Sequence, residues 1–160
     1  MQFHRYPIMA SRRTLNCGLP VSSYGFMQAE VRNRVHQSAD ELEVCIRFGD
    51  DSGEAVDVID GRESRSAFPH VLFKLPGVHH VYSTSGEREC VFLVYPAAAV
   101  AELEKRGYPL SSPIRPIRMT RRLAELLNQL SDVTDTGLRD VMRVAGALAQ
   151  GDLTQTMTKD

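Results

Sequence analysis

The chain has 160 residues, 42% of them hydrophobic and 24% charged, with a formal net charge of −1. That length suits one domain with a full core, or one domain with a small helical appendage. The near-neutral balance gives no overall electrostatic case for nucleic acid or an anionic membrane as partner, and leaves only a local patch for either.

The three cysteines, Cys17, Cys45 and Cys90, are widely spaced and form no CxxC pair. Free thiols in a reducing compartment are the simplest reading. The N-terminal MQFHRYPIMASRRTL holds no apolar stretch long enough for a signal peptide, and no run approaches the roughly 20 apolar residues of a membrane span. The expectation is a cytoplasmic protein without a membrane partner.

Residues 1–20 read as an N-terminal arm, and 21–96 as a barrel domain. Residues 29–36 (AEVRNRVH) alternate, with Ala29, Val31, Asn33 and Val35 on one face and Glu30, Arg32, Arg34 and His36 on the other. Residues 41–48 (ELEVCIRF) alternate again, with Leu42, Val44, Ile46 and Phe48 sharing a face. A turn over Gly49–Gly53 precedes AVDVI at 55–59, and Asp60-Gly61 marks the next reversal. VLFKL at 71–75 runs into Pro76-Gly77. HHVY at 79–82 follows, and VFLVY at 91–95 is wholly apolar, as a central, doubly buried strand would be. Short strands between turn signals predict a small antiparallel sandwich or barrel.

After Pro96 the period becomes helical. AAAVAELEKR at 97–106 has strong helix propensity, and Gly107 sits where a helix-ending glycine belongs. Tyr108–Pro116, with three prolines, reads as a linker. From Thr120, an N-cap candidate, Leu123, Leu126, Leu127 and Leu130 form an i, i+3, i+4, i+7 stripe. A second helix is predicted from about Thr136 to Gln150, antiparallel to the first. Residues 97–150 form the helical region and 151–160 a tail.

The segment LFKLPGVHHVY at 72–82 carries most of the functional information. In period 2, His80 and Tyr82 point to one side and His79 and Val81 to the other. One polar pair therefore lines a barrel interior, or both histidines lie exposed on a hairpin. Arg32 and Arg34 are either solvated charges or inner-wall anchors for hydroxyls or a carboxylate. Cys45 and Cys90 lie in apolar strands, where a thiol behaves as a small hydrophobe. No GxSxG, phosphate-cradling glycine loop or HExxH is present, and no nucleophile and base pair stands out. Residues 123–143 have the length of a helix-turn-helix. The turn is long, however, and the second helix offers only Arg139 and Arg143 beside Asp140, so a packing helix pair is the better reading.

The Pro76-Gly77 turn, His79-His80, Tyr82, the charged stretch Gly86-Glu87-Arg88-Glu89 and the buried strand after it resemble the N-terminal domain of AraC/XylS-type transcription regulators. The leucine-striped IRMTRRLAELLNQL resembles that family's dimerisation element. The resemblance implies a mainly β fold with C-terminal α: a cupin-like antiparallel β-barrel, or jelly roll, followed by an antiparallel helix pair. It implies a non-enzymatic domain that senses a sugar or other small polar metabolite through Arg32 or Arg34 with His80 and Tyr82. Effector binding would reorder the arm at 1–20 and alter how the helices are presented.

The resemblance further implies a homodimer through Leu123, Leu127 and Leu130, and contact with DNA only through a DNA-binding domain outside this chain. No cofactor is expected. No metal is expected either, since the HxH pair of enzymatic cupins is missing. The alternative is a small cupin enzyme, a metal-dependent isomerase or dioxygenase. A third option is an interaction module of a chemoreceptor, because ALAQGDLTQTM near the C-terminus resembles the end of a HAMP linker.

Overall fold

The computed structural model describes residues 2–7, 21–30, 35–37, 40–49, 53–108 and 110–131. Among these residues, ten strands and two helices follow in chain order. They are β1 (Gln2–Pro7), β2 (Ser23–Glu30), β3 (Val35–Gln37), β4 (Leu42–Gly49), β5 (Glu54–Ile59), β6 (Arg62–Ala67), β7 (His70–Lys74), β8 (His80–Ser85), β9 (Glu87–Tyr95), α1 (Ala99–Lys105), β10 (Ile114–Pro116) and α2 (Arg121–Ser131).

The strands form two antiparallel sheets, ordered β1-β2-β9-β4-β7-β10 and β3-β8-β5-β6. Numbered one to eight, the strands β2 to β9 occur as 1-8-3-6 in the first sheet and 2-7-4-5 in the second. That order is the double-sheet jelly roll, two Greek keys folded together, in which cupins are one class. The expected mainly β barrel is present, and VFLVY lies on β9 between β2 and β4, as its two-sided burial requires.

Sheet parity separates two interiors. Leu42, Val44 and Ile46 of β4 join Val71, Phe73, Val91, Leu93 and Tyr95 in one apolar cluster. This cluster also contains Ala99 and Leu103 of α1 and Leu123 and Leu127 of α2, so it lies on the helix-covered outer face of the larger sheet. The alternate positions, Cys45, Leu72, Cys90, Phe92 and Val94, form a second cluster between the sheets.

α1 ends as its sequence predicts. Gly107 adopts φ 84°, and the backbone N–H of Tyr108 donates to Leu103 O at 3.0 Å, satisfying a terminal carbonyl. α2 begins as predicted too, with Thr120 Oγ1 accepting from the Leu123 backbone N–H at 3.1 Å.

Several boundaries differ. Residues 29–36 are not one strand: β2 ends at Glu30 in the larger sheet, and β3 resumes at Val35 in the smaller one. Within the expected N-terminal arm, residues 2–7 form the edge strand β1. The expected linker contains β10, paired with β7. β6 was not foreseen, because RESRSA has no apolar alternation and is an exposed edge. The second helix at 136–150 and the tail lie outside the described residues.

Candidate functional site

His80 and Tyr82 do share a face, and that face is the barrel interior. His80 is buried while His79 is exposed, as period 2 requires. Gly77, at φ 74°, takes the left-handed turn that follows β7. The His80 and Tyr82 rings stack with centroids 5.3 Å apart. Arg32 and Arg34 lie outside the described residues.

The arginines that meet Tyr82 are two that the sequence reading passed over. Arg47 of β4 and Arg88 of β9 place their guanidinium carbons 5.2 and 5.1 Å from the Tyr82 ring centroid, and Lys74 Nζ of β7 lies 5.4 Å from it. A ring face attracts cations electrostatically. Three strands of the larger sheet thus aim positive charge at one tyrosine of the smaller sheet.

Two carboxylates answer this charge. Asp57 Oδ1 accepts from Arg47 Nη1 at 2.8 Å and from His80 Nε2 at 2.7 Å, and Oδ2 accepts from the same Arg47 nitrogen at 2.9 Å. Arg47 and Asp57 are 1% and 0% exposed, so this is a fully buried ion pair. Glu43 Oε1 accepts from Lys74 Nζ at 2.6 Å and from Cys45 Sγ at 2.9 Å.

Burial alone would raise the Asp57 carboxyl, but the hydrogen bond from His80 and the charge and hydrogen bond of Arg47 outweigh it and hold it at about 2. Desolvation keeps His80 neutral-leaning, lowering its pKa against the pull of Asp57. His80 therefore carries its proton on Nε2, facing the carboxylate, and its buried Nδ1 has no hydrogen-bond partner among the described residues. His70 is also desolvated, to about 4, and its Nδ1 donates to Ala67 O at 3.0 Å.

The cysteines are more than small hydrophobes. Cys45 and Cys90 both lie buried in the inter-sheet cluster. Burial pushes the Cys45 thiol well up, whereas the neighbouring Cys45 and the charges of Arg88, Arg47 and Lys74, opposed by burial, bring the Cys90 thiol down.

A cavity of about 510 Å³ opens at the seam between the edge strands β6 and β10. Leu72, Lys74 and His80 form its inner wall, with Ile59 and Ile114 at its sides and Arg62, Glu63 and Ser64 of the β6 edge around it. That volume suits one small molecule.

Among the described residues, the buried acidic donors are already engaged by cationic or hydrogen-bonding side chains. Asp57 is engaged by Arg47 and His80, Glu43 by Lys74 and Cys45, and three cationic groups stand around Tyr82. Among the described residues, no three His, Cys, Asp or Glu side chains converge as a metal-binding group.

No protein-family model matches the chain. A stretch of 80 residues is 46% identical to the methyl-accepting chemotaxis protein McpB of Pseudomonas aeruginosa. The match takes in 46% of this chain and 10% of that protein, so the chain spans about a tenth of the length of the curated relative it matches.

Among solved structures, a cupin 2 conserved barrel domain protein from Salinispora arenicola is similar over 65% of this chain and 84% of its own, at 19% identity and a TM-score of 0.44. A predicted oxalate decarboxylase from Thermotoga maritima is similar over 48% and 67%, at 15% identity and a TM-score of 0.40. The cupin domain of Schizosaccharomyces pombe Cnp3 is similar over 53% and 61%, at 10% identity and 0.41. At such scores these likenesses stand beside the strand order, which defines the fold by itself.

The leucines expected at a dimer interface have another use. Leu123 and Leu127 are 6% and 2% exposed and pack in the chain's own outer-face cluster. Both side chains therefore serve the core of the chain itself. The Leu130 side chain lies outside the described residues. Among those residues, no helix is long and apolar enough to cross a membrane.

Proposed function

We propose that this chain is the effector-binding domain of a signalling protein, taking a small polar metabolite into the cavity at the barrel seam and performing no chemistry of its own. The observation that carries this reading is the buried Arg47–Asp57–His80 network stacked against Tyr82 behind a cavity of about 510 Å³. A jelly roll needing only stability fills its interior with apolar side chains. Burying ionisable groups has a desolvation cost of several kcal/mol per ion, and such groups cluster at functional sites.

The same geometry supports a route for the signal. Leu110 lines the cavity and also belongs to the outer-face cluster with Leu123 and Leu127 of α2. The backbone of β10 is tied to β7, and Ile117 N–H donates to Pro69 O at 3.2 Å. An effector that moves the 110–114 segment would bias the seat of α2, which is a coupling of two sites through one packed element.

Two outputs fit beyond the helices. The Pro76-Gly77, His79-His80 and Tyr82 resemblance to AraC/XylS-type regulators assigns the signal to a DNA-binding half. The match to McpB, with the HAMP-like ALAQGDLTQTM, favours a chemoreceptor-type signalling helix instead.

The test of the effector reading is a thermal-shift screen of the chain against sugars, polyols and small organic acids, followed by titration of the best stabiliser. Saturable stabilisation, weakened about 5- to 150-fold by Tyr82→Phe or His80→Gln, supports it. Failure of every compound to stabilise, together with stoichiometric Fe, Mn or Zn in the purified protein, would replace it with the cupin-enzyme alternative.

A further inference from the structure

Asp57 fixes which polar atom His80 has left to offer. The ring's Nε2–H donates to Asp57 Oδ1 at 2.7 Å, so the lone pair of the neutral imidazole stands on Nδ1, which is an acceptor. His80 is 3% exposed, and among the described residues nothing donates to that nitrogen. A buried acceptor without a donor has lost its hydration and gained nothing in return. The same side chain lines the seam cavity, so a ligand's donor is the group that would satisfy it.

The rest of the lining narrows the class. It carries two acids, Asp60 and Glu63, and two bases, Arg62 and Lys74, and so selects no net charge. An anion sets only lone pairs against the lone pair of Nδ1 and is repelled. A cation can donate, but burial, with Arg47 and Lys74, disfavours positive charge at this ring against the pull of Asp57. A neutral O–H or N–H remains. Ile59, Leu72, Leu75, Val78 and Ile114 give the ligand an apolar seat, and Ser64, Ser111 and Ser112 add hydroxyls to the lining.

Resting on the effector-binding reading above, we infer that the effector is an uncharged compound that donates one hydrogen bond, from a hydroxyl or an amide N–H, to His80 Nδ1 and lays an apolar part against Ile59, Leu72 and Ile114. His80 is then a specificity-determining residue with two faces. Nε2 is committed to the buried network, and Nδ1 reads the ligand.

The test compares compounds that share one ring and differ in donor or charge. Benzyl alcohol is set against benzyl methyl ether, and benzamide against N,N-dimethylbenzamide, with benzoate and benzylammonium as the ionic members. Affinities come from titrations that follow the Ile59, Leu72 and Ile114 methyl signals. At least one donor should bind about tenfold tighter than its methylated partner and than either ion. Alcohol and amide arms together tell which donor the site takes. His80→Gln keeps an amide N–H for Asp57 but removes the acceptor at Nδ1, and should bring the donor-to-methylated ratio close to one.

A second readout needs no variant. The Nδ1 nitrogen resonance of His80, followed in long-range proton–nitrogen spectra, should move to lower frequency as the cavity fills, because its lone pair accepts a proton. It is followed with every cavity binder, including those from the metabolite screen, and decides the matter if His80→Gln fails to fold. A saturating cavity binder that leaves Nδ1 unmoved, or methylated or ionic members that bind as tightly as the donors, would overturn the donor class and leave the effector reading standing. No cavity binder among probes or metabolites would remove both.

Discussion

Arg47 on β4 and Asp57 on β5 join the two sheets through the barrel interior, one guanidinium nitrogen donating to both carboxylate oxygens at 2.8 and 2.9 Å. Because Asp57 also holds His80, this one carboxylate orients a side chain from each sheet. Removing it leaves a buried guanidinium without its counter-charge. Asp57→Ala should therefore destabilise the chain by about 3–5 kcal/mol, read as a lower urea midpoint. A change below about 1 kcal/mol would mean that the pair is solvated and the interior wetter than this geometry implies.

Acid should weaken the fold in two stages. His70 is lowered by burial from its ordinary 6.5 to about 4, so the unfolded chain takes up the proton first. Stability present above about pH 6.5 is lost as pH falls toward 4, by roughly 3 kcal/mol for this group alone. His80, lowered for the same reason, adds a loss of the same sign. Asp57, held at about 2, contributes stability that is lost only below about pH 4. Urea midpoints between pH 7 and 4.5 should fall, and His70→Phe should flatten the slope by about one proton. A midpoint constant over that range would contradict the burial of both rings.

Leu127 is a core residue of the outer face, 2% exposed among Ile117, Leu123 and the β4 and β9 side chains. Leu127→Glu should destabilise the chain by roughly 3 kcal/mol or more, since it buries an unpaired carboxylate where a leucine packed. Circular dichroism melting decides this. A variant that melts like the wild type but sediments as a smaller species would restore the leucine stripe as a subunit interface.

The fold was legible where apolar periodicity matched burial. Leu42, Val44 and Ile46 reported the outer face of β4, and VFLVY reported a strand buried on both sides. The edge strand β6 was not legible, because RESRSA has no apolar alternation; it pairs with β5 through its backbone and through polar side chains such as Arg65 with Glu54 at 2.9 Å.

The site was half legible. His80 and Tyr82 announced themselves by period 2 after Pro76-Gly77. Glu43 and Arg47 did not, because polar residues opposite an apolar face read equally as a solvated surface. Here the apolar face of the larger sheet serves the helices and the polar face lines the barrel, which only tertiary packing decides. A signal was present at Asp57, a lone carboxylate inside AVDVI, on the parity that places it opposite Tyr82 in the β5–β8 register.

The central claim, that an effector occupies the seam cavity, is tested most directly by methyl-detected NMR on protein labelled at isoleucine and leucine, titrated with the strongest stabiliser from the thermal-shift screen. The methyl signals of Ile59, Leu72 and Ile114, which line the cavity, should move together along one saturable curve. Leu93, buried on the opposite face of the larger sheet, should stay in place. Saturable shifts that spare all three cavity methyls would place the ligand elsewhere and contradict the account.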